Sequence, residues 1–191
     1  MSRRTHLKLA VGAMAVLGAA MVSLPFLYSL SINPKQENDA WGACDVSDLA
    51  QGAMKQCGWA AVYRRTSEDM ASVDKFASLL ADPDSIHSSQ PSSAKNHWRS
   101  ENPYYFVFKP WAPHRRCKVW LETSRKYYSG WEPPENVALT ELPYFMEPCE
   151  GRTWDTSGRL YKRDGYPPEQ NLAVPSVRWI SPTKVLIYSS N

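Results

Sequence analysis

Glu147-Pro148-Cys149-Glu150-Gly151-Arg152, running on into Thr153-Trp154-Asp155-Thr156-Ser157-Gly158-Arg159, decides how this 191-residue chain is read. Its companion is Ala112-Pro113-His114-Arg115-Arg116-Cys117. Each stretch carries a proline and one cysteine; the companion is basic, and the Glu147 stretch mixes acidic and basic residues. Glu147 and Glu150 need partners, and Arg115, Arg116 and Arg152 can supply them through charge-assisted hydrogen bonds. His114 with the two glutamates would also be an allowed donor set for zinc or non-haem iron, provided the two stretches meet. Ion pairing is the expected use of these side chains, and no metal is expected there.

Working outward, the composition fits one modest domain plus an anchor. The formal net charge is +3, with no basic block outside the N-terminus. A nucleic-acid partner would want a concentrated Lys/Arg face, so that class is set aside. Fifteen prolines, eight tryptophans and ten tyrosines suit a loop-rich β domain. Four cysteines are an even count, and with an export signal two disulfides are the default. Cys44 and Cys57 bracket a turn-containing loop, and a bond between them would be local.

The N-terminus reads as a membrane segment. Ser2-Arg3-Arg4-Thr5-His6-Leu7-Lys8 resembles a twin-arginine export motif, with His6 where Phe is usual. Leu9 to Leu30 then follows without a charge. About 20 apolar residues cross a bilayer as a helix, and Arg3, Arg4 and Lys8 keep that end cytoplasmic. No Ala-x-Ala cleavage site follows, so the span is expected to stay as an anchor. The expected division is 1–8 cytoplasmic, 9–30 transmembrane, 31–43 linker and 44–191 head. A bacterial inner membrane, crossed once with the head in the periplasm, is the expected location.

Within the head, Trp59–Arg65 and Tyr104–Phe108 read as strands from their β-branched and aromatic content. Val119-Trp120-Leu121 leaves the His114 stretch. Thr66-Ser67-Glu68-Asp69 looks like a helix cap. Val73, Phe76, Leu79 and Leu80 recur at helical spacing, which predicts a helix ended by Asp82-Pro83. The segment 121–142 is long and polar but holds Tyr127, Tyr128 and Trp131. Trp41, Trp98, Trp111 and Trp131 all fall in expected loops, where exposed Trp is a typical interface anchor.

The two opening stretches resemble the cluster-binding loops of Rieske iron–sulfur proteins, Cys-Thr-His-Leu-Gly-Cys and Cys-Pro-Cys-His-Gly-Ser. Further likeness lies in Asp155–Leu160, Tyr166-Pro167-Pro168, Asn171–Pro175 and Ser181–Ile187. The resemblance spans most of the chain and is close only from about Tyr144 onward. It implies an antiparallel β head of the Rieske type. In that family one Cys and one His of each loop hold a [2Fe–2S] cluster, and the other two Cys bond to each other. Carried over, His114 is the one surviving ligand. Ala112, Glu147 and Glu150 stand where a Cys, a Cys and a His would be, and Cys117 and Cys149 are the stapling pair. The hydroxyls that bond the cluster sulfurs fall at Arg152 and Trp154 and are absent.

The resemblance therefore implies a cluster-free subunit of a respiratory membrane complex, not an enzyme by itself. It would stabilise a quinol:cytochrome c oxidoreductase or bridge it to a terminal oxidase, with lipid around its helix. Two other classes stay open. One is an electron-transfer subunit with an atypical cluster; the other is a thiol redox protein using Cys117 and Cys149. Neither Cys lies in the Cys-x-x-Cys context that lowers a thiol pKa.

Overall fold

Successive side chains of a strand point to opposite faces, so a strand that is apolar at every position must be covered twice. β4 (Tyr105–Phe108) is such a strand, and so is β3 (Ala60–Arg64) up to its last residue. With β2 (Met54–Cys57) they form one antiparallel sheet in the order β2-β3-β4. This is a computed structural model that describes residues 40–123, 143–162 and 171–188, with Ala40 and Trp41 as backbone only. By its internal contacts the chain divides into Met1–Asp39 and Ala40–Asn191. The first unit lies outside the described residues, as do the expected anchor at 9–30, Arg3 and Arg4. Among the described residues no helix is long and apolar enough to cross a membrane.

One face of the β2-β3-β4 sheet carries Ala61, Tyr63, Phe106 and Phe108. It packs against Phe145, Trp154 and Val119. Those residues belong to, or lead into, a second sheet of β5 (Trp120–Glu122), β6 (Tyr144–Met146) and β7 (Thr153–Trp154). The aromatic contacts are close: Phe108 to Phe145 at 4.7 Å between centroids, and Tyr63 edge-on to Phe145 at 5.5 Å. The other face carries Ala60, Val62, Tyr105 and Val107. It packs on Cys44, Val46, Val185 and Ile187, and the Tyr105 ring lies 4.9 Å from Trp179. These come from a third sheet ordered β1-β9-β8, with β1 (Ala40–Asp45), β8 (Val177–Ser181) and β9 (Lys184–Tyr188). The head is thus mainly antiparallel β, as expected, with the β2-β3-β4 sheet covered on both faces. Burying each of these Phe, Val or Ile side chains contributes about 1.5–3 kcal/mol.

Cys44 of β1 and Cys57 of β2 form a disulfide, Cα to Cα 5.8 Å, tying the outer sheet to the middle one. The predicted strands at 59–65 and 104–108 contain β3 and β4, while Val119–Leu121 overlaps β5 and Ser181–Ile187 overlaps β9. Trp41, expected in a loop, lies in β1. Asn171–Pro175 is irregular, and β8 begins at Val177.

The predicted helix is cut short. α1 spans Ser67–Ser72, capped by Thr66, whose side chain accepts from the Asp69 N–H while Asp69 Oδ2 accepts from the Thr66 N–H. Beyond it the chain turns, with one 3-10 turn at Ala77–Leu79. Tertiary partners take the backbone that a longer helix would need. Arg159 Nη2 donates to the Val73 carbonyl, the Leu79 carbonyl accepts from the Lys162 N–H, and Leu80 pairs with Tyr161.

Three buried arginines then fasten the loops. Arg99 donates to the carbonyls of Ser157 (3.3 Å), Gly158 (2.8 Å) and Leu172 (2.7 Å), and to Gln90 Oε1 (3.0 Å). Arg65 donates to the carbonyls of Trp98 and Pro103 and to the hydroxyls of Ser100 and Ser157. Arg159 pairs with Asp155 at 2.7 Å. Burial draws the Arg65 and Arg99 guanidinium groups down to about 10, with Asp155 opposing. Gly158 sits among them at φ +72°, and a Cβ there would overlap the Phe106 ring. Only Gly meets both demands without strain.

Candidate functional site: two stapled loops at one end of a sheet

The residues 112–117 connect β4 to β5, and the residues 147–152 connect β6 to β7. β5 pairs antiparallel with β6, Trp120 opposite Met146. The end of the first loop and the start of the second therefore leave the sheet side by side. Each loop closes on itself. The Ala112 N–H donates to the Cys117 carbonyl (2.7 Å), and the Glu147 N–H donates to the Arg152 carbonyl (3.1 Å). Gly151, at φ +69°, makes the second turn possible. Cys117 and Cys149 form a disulfide across the two loops, Cα to Cα 6.4 Å.

The structure brings His114, Arg115, Glu147, Glu150 and Arg152 together beside the Cys117–Cys149 bond. His114 Nε2 lies 3.2 Å from Glu150 Oε2 and 3.9 Å from Glu147 Oε1. The 3.2 Å approach is not aligned as a hydrogen bond, and neither ring nitrogen of His114 has a hydrogen-bond partner among the described residues. Arg115 Nε lies 2.7 Å from Glu150 Oε1, and Arg152 donates to Glu150 Oε2 through Nε (3.1 Å) and Nη2 (3.0 Å). Burial, then the charge of Arg152, lowers the His114 pKa against the pull of the two glutamates. Burial alone would raise the Glu150 carboxyl. The Arg152 hydrogen bond, His114 and Arg115 outweigh it and hold that carboxyl below its ordinary value.

Glu147 corrects the expectation. Its carboxylate was expected to take an arginine, but the arginines go to Glu150. Arg116, at φ +51°, joins neither carboxylate. The Glu147 side chain is fully buried and accepts from the backbone of its own loop. The donors are the N–H groups of Cys149 (2.6 Å), Glu150 (3.1 and 3.2 Å) and Arg152 (3.2 Å). Successive N–H groups converging in a turn make an anion-binding nest, and here the anion is part of the chain. The sequence carried a partial signal for this: a Glu followed by a short Gly-containing turn.

The other singled-out aromatics scatter. Trp98 stacks under Arg65, 5.7 Å from guanidinium to ring. Trp111 pairs with Lys118 and is 46% exposed, and Trp120 is 43% exposed. Trp131, Tyr127 and Tyr128 lie outside the described residues.

No family model matches the chain. It is 29% identical over 195 residues to the ubiquinol-cytochrome c reductase iron-sulfur subunit of Bradyrhizobium diazoefficiens, covering 97% of this chain and 94% of that one. By sequence the chain is thus similar, along nearly its whole length, to a Rieske-type iron–sulfur subunit. A chain of a solved hyperthermophilic respiratory Complex III aligns over 93% of this chain and 98% of that one, at 16% identity and a TM-score of 0.42.

The Rieske family implies a [2Fe–2S] cluster, and the residues present do not fit one. The group needs two thiolates and two imidazoles. Ala112 offers a methyl group, packed in the core at 1% exposure. Glu147 offers a carboxylate already loaded with N–H donors, and Glu150 one held by two guanidinium groups. Carboxylates are hard ligands where this cluster takes sulfur and nitrogen. His114 is the one matching donor, and both loop thiols are committed to the disulfide.

Proposed function

We propose that this chain is a non-catalytic, cluster-free subunit, of Rieske type, of a respiratory membrane complex. Its role is to stabilise a quinol:cytochrome c oxidoreductase or to bridge it to a terminal oxidase. The observation that carries the cluster-free part is the Glu147 carboxylate in its nest of three backbone donors. A loop whose amide groups are satisfied by its own side chain folds without a metal. The respiratory part is supported by the Bradyrhizobium relative, itself an iron–sulfur subunit of a ubiquinol-cytochrome c reductase. The uncharged run Leu9–Leu30 supports a retained anchor, and the Arg3-Arg4 motif supports export, with the head at 44–191 in the periplasm.

The test is purification from native membranes through a C-terminal tag. Co-purification of cytochrome-containing subunits at fixed stoichiometry is the expected result. A chain that elutes alone under mild detergent, at native expression level, overturns the subunit reading. Alkaline carbonate extraction checks the anchor: the chain stays in the pellet, and release of the head would show cleavage.

A further inference from the structure

The first loop carries a face that the fold leaves uncovered. Trp111 pairs with Lys118 in an antiparallel bridge, and the Val119 N–H donates to the Pro110 carbonyl (3.0 Å). Bridged partners put their side chains on one face, and a residue two positions on shares it. Trp111, Lys118 and Trp120 therefore stand on one face. All three are exposed, whereas Ala112 and Val119, which alternate with them, are buried in the core. A tryptophan offers up to about 250 Å², so exposures of 46% and 43% leave roughly 200 Å² of the two indoles open to solvent. The charge beside them is of one sign. From Asn102 to Leu121 the sequence has no Asp or Glu. Arg115 is held by Glu150, and Lys109 lies over the Trp59 ring at 5.3 Å. Arg116 and Lys118 are exposed and have no ion-pair partner among the described residues. Glu122, two residues past Trp120, is the first acid the strand reaches, and it is half-buried.

Two features choose the partner. The open indole area falls well short of the roughly 800 Å² that a stable protein interface takes from each side. Lysine is also depleted in protein interfaces, yet Lys118 stands beside Trp111 across the bridge and beside Trp120 along the strand. A bilayer surface asks for this combination. Indole rings settle among lipid headgroups, and a lysine or arginine next to them meets anionic phosphates. We propose that this face of the first loop docks on an anionic lipid surface, with Trp111 and Trp120 at the headgroup level and Arg116 and Lys118 on the lipid phosphates. The inference rests on the anchor reading above only to bring the head to a bilayer. The contact is reversible and sensitive to salt, unlike a membrane-spanning helix.

The experiment uses the full chain with its eight tryptophans replaced by 5-fluorotryptophan. It is placed in nanodiscs of phosphatidylcholine alone, or of equal parts phosphatidylcholine and phosphatidylglycerol. A lipid with a spin label on its headgroup broadens the fluorine line of any indole at that level, and Trp111→Phe and Trp120→Phe assign the two lines. Both lines are expected to broaden in the anionic discs. Two cations at an anionic surface favour docking roughly thirtyfold, so broadening in the neutral discs is expected to be at least about tenfold weaker. It disappears in about 1 M salt, where charge is screened within about 3 Å. Trp154, fully buried, keeps its line throughout and reports that the head is folded. Arg116→Gln with Lys118→Gln removes the difference between the two lipids. Equal broadening in both lipids, broadening that survives the double variant, or no broadening overturns the proposal. So does a response of the two lines only when other membrane protein subunits are added, which assigns the face to a protein partner. A chain that does not enter the discs contradicts the anchor reading. It is then read in the same way after addition to preformed vesicles of the two lipid mixtures, so the two failures are told apart.

Discussion

Two regions of the head bury charge against backbone, and they do it in opposite senses. Around Asp155–Arg159, guanidinium groups donate to carbonyls. In the loop 147–152, a carboxylate accepts from N–H groups. The arginine region is long-range: Arg99 ties residues 58, 59 and 73 positions away, and Arg159 reaches one 86 positions away. The Glu147 nest is local, with every donor within five residues. Joining the second loop to the first is left to the Cys117–Cys149 bond and to Glu150 beside His114 and Arg115. Cross-links between distant segments hold a fold, whereas a local nest holds only its own turn. The difference teaches where this head keeps its stability: in the arginine region, with the tip depending on its disulfide.

The strongest way to break this contrast is Arg99→Met. It leaves the carbonyls of Ser157 and Leu172 without the Arg99 donor, while Gly158 keeps the Leu172 N–H, and each buried orphan costs about 1–3 kcal/mol. A loss of about 4 kcal/mol is expected in the urea unfolding of the full chain in detergent. A loss under about 1 kcal/mol would show that the region is held by packing alone.

Next comes Cys117→Ser with Cys149→Ser. The bond closes a segment of 32 residues, for which chain entropy gives about 3.7 kcal/mol. The loss should be regional. Amide exchange should quicken at 112–117 and 147–152 while 155–160 stays protected. Equal loosening of both regions would merge the two into one cooperative unit.

Glu147→Ala is smaller, about 2 kcal/mol, because it orphans backbone donors within a single turn. Glu147→Gln keeps one accepting oxygen and should fall between wild type and Ala. A more stable Ala variant would mean that the nest finds water as readily as a carboxylate.

The smallest effect is pH dependence at the tip. His114 titrates lower in the fold than its ordinary 6.5, so the unfolded chain binds its proton first. Stability from this group is therefore fully present above pH 6.5 and is lost as pH falls through the lowered folded value. The charges of Glu147, Glu150, Arg115 and Arg152 all face His114. His114→Phe should flatten the thermal midpoint between pH 7 and pH 5. An unchanged slope would place the titration elsewhere.

Much of the fold was legible, for identifiable reasons. Residues 60–63 and 105–108 are apolar on both faces, and such strands announce themselves. Thr66 and Asp69 announced the cap. The helix beyond Ser72 was misread because Val73, Phe76, Leu79 and Leu80 keep helical spacing, while Arg159 and Lys162 claim the carbonyls of Val73 and Leu79. Nothing local records that claim. At the site, the disulfide and the meeting of His114 with both glutamates followed from the likeness to a known pair of loops. The nest did not, since an arginine-rich neighbourhood suggests ion pairs and gives no hint that backbone amides will outbid them for Glu147. Nothing local in the sequence marks Arg65 or Arg99 as buried, and only the fold shows them nearly dry.

The account rests on a head that folds around its own carboxylate with no cluster. The most direct measurement is iron content and visible absorbance of the full chain, isolated in the oxidised state from its native membranes. The account predicts a colourless protein without stoichiometric iron, whose thermal midpoint is unchanged by chelator. About two iron atoms per chain with the visible spectrum of a [2Fe–2S] centre would contradict it and return the chain to electron transfer.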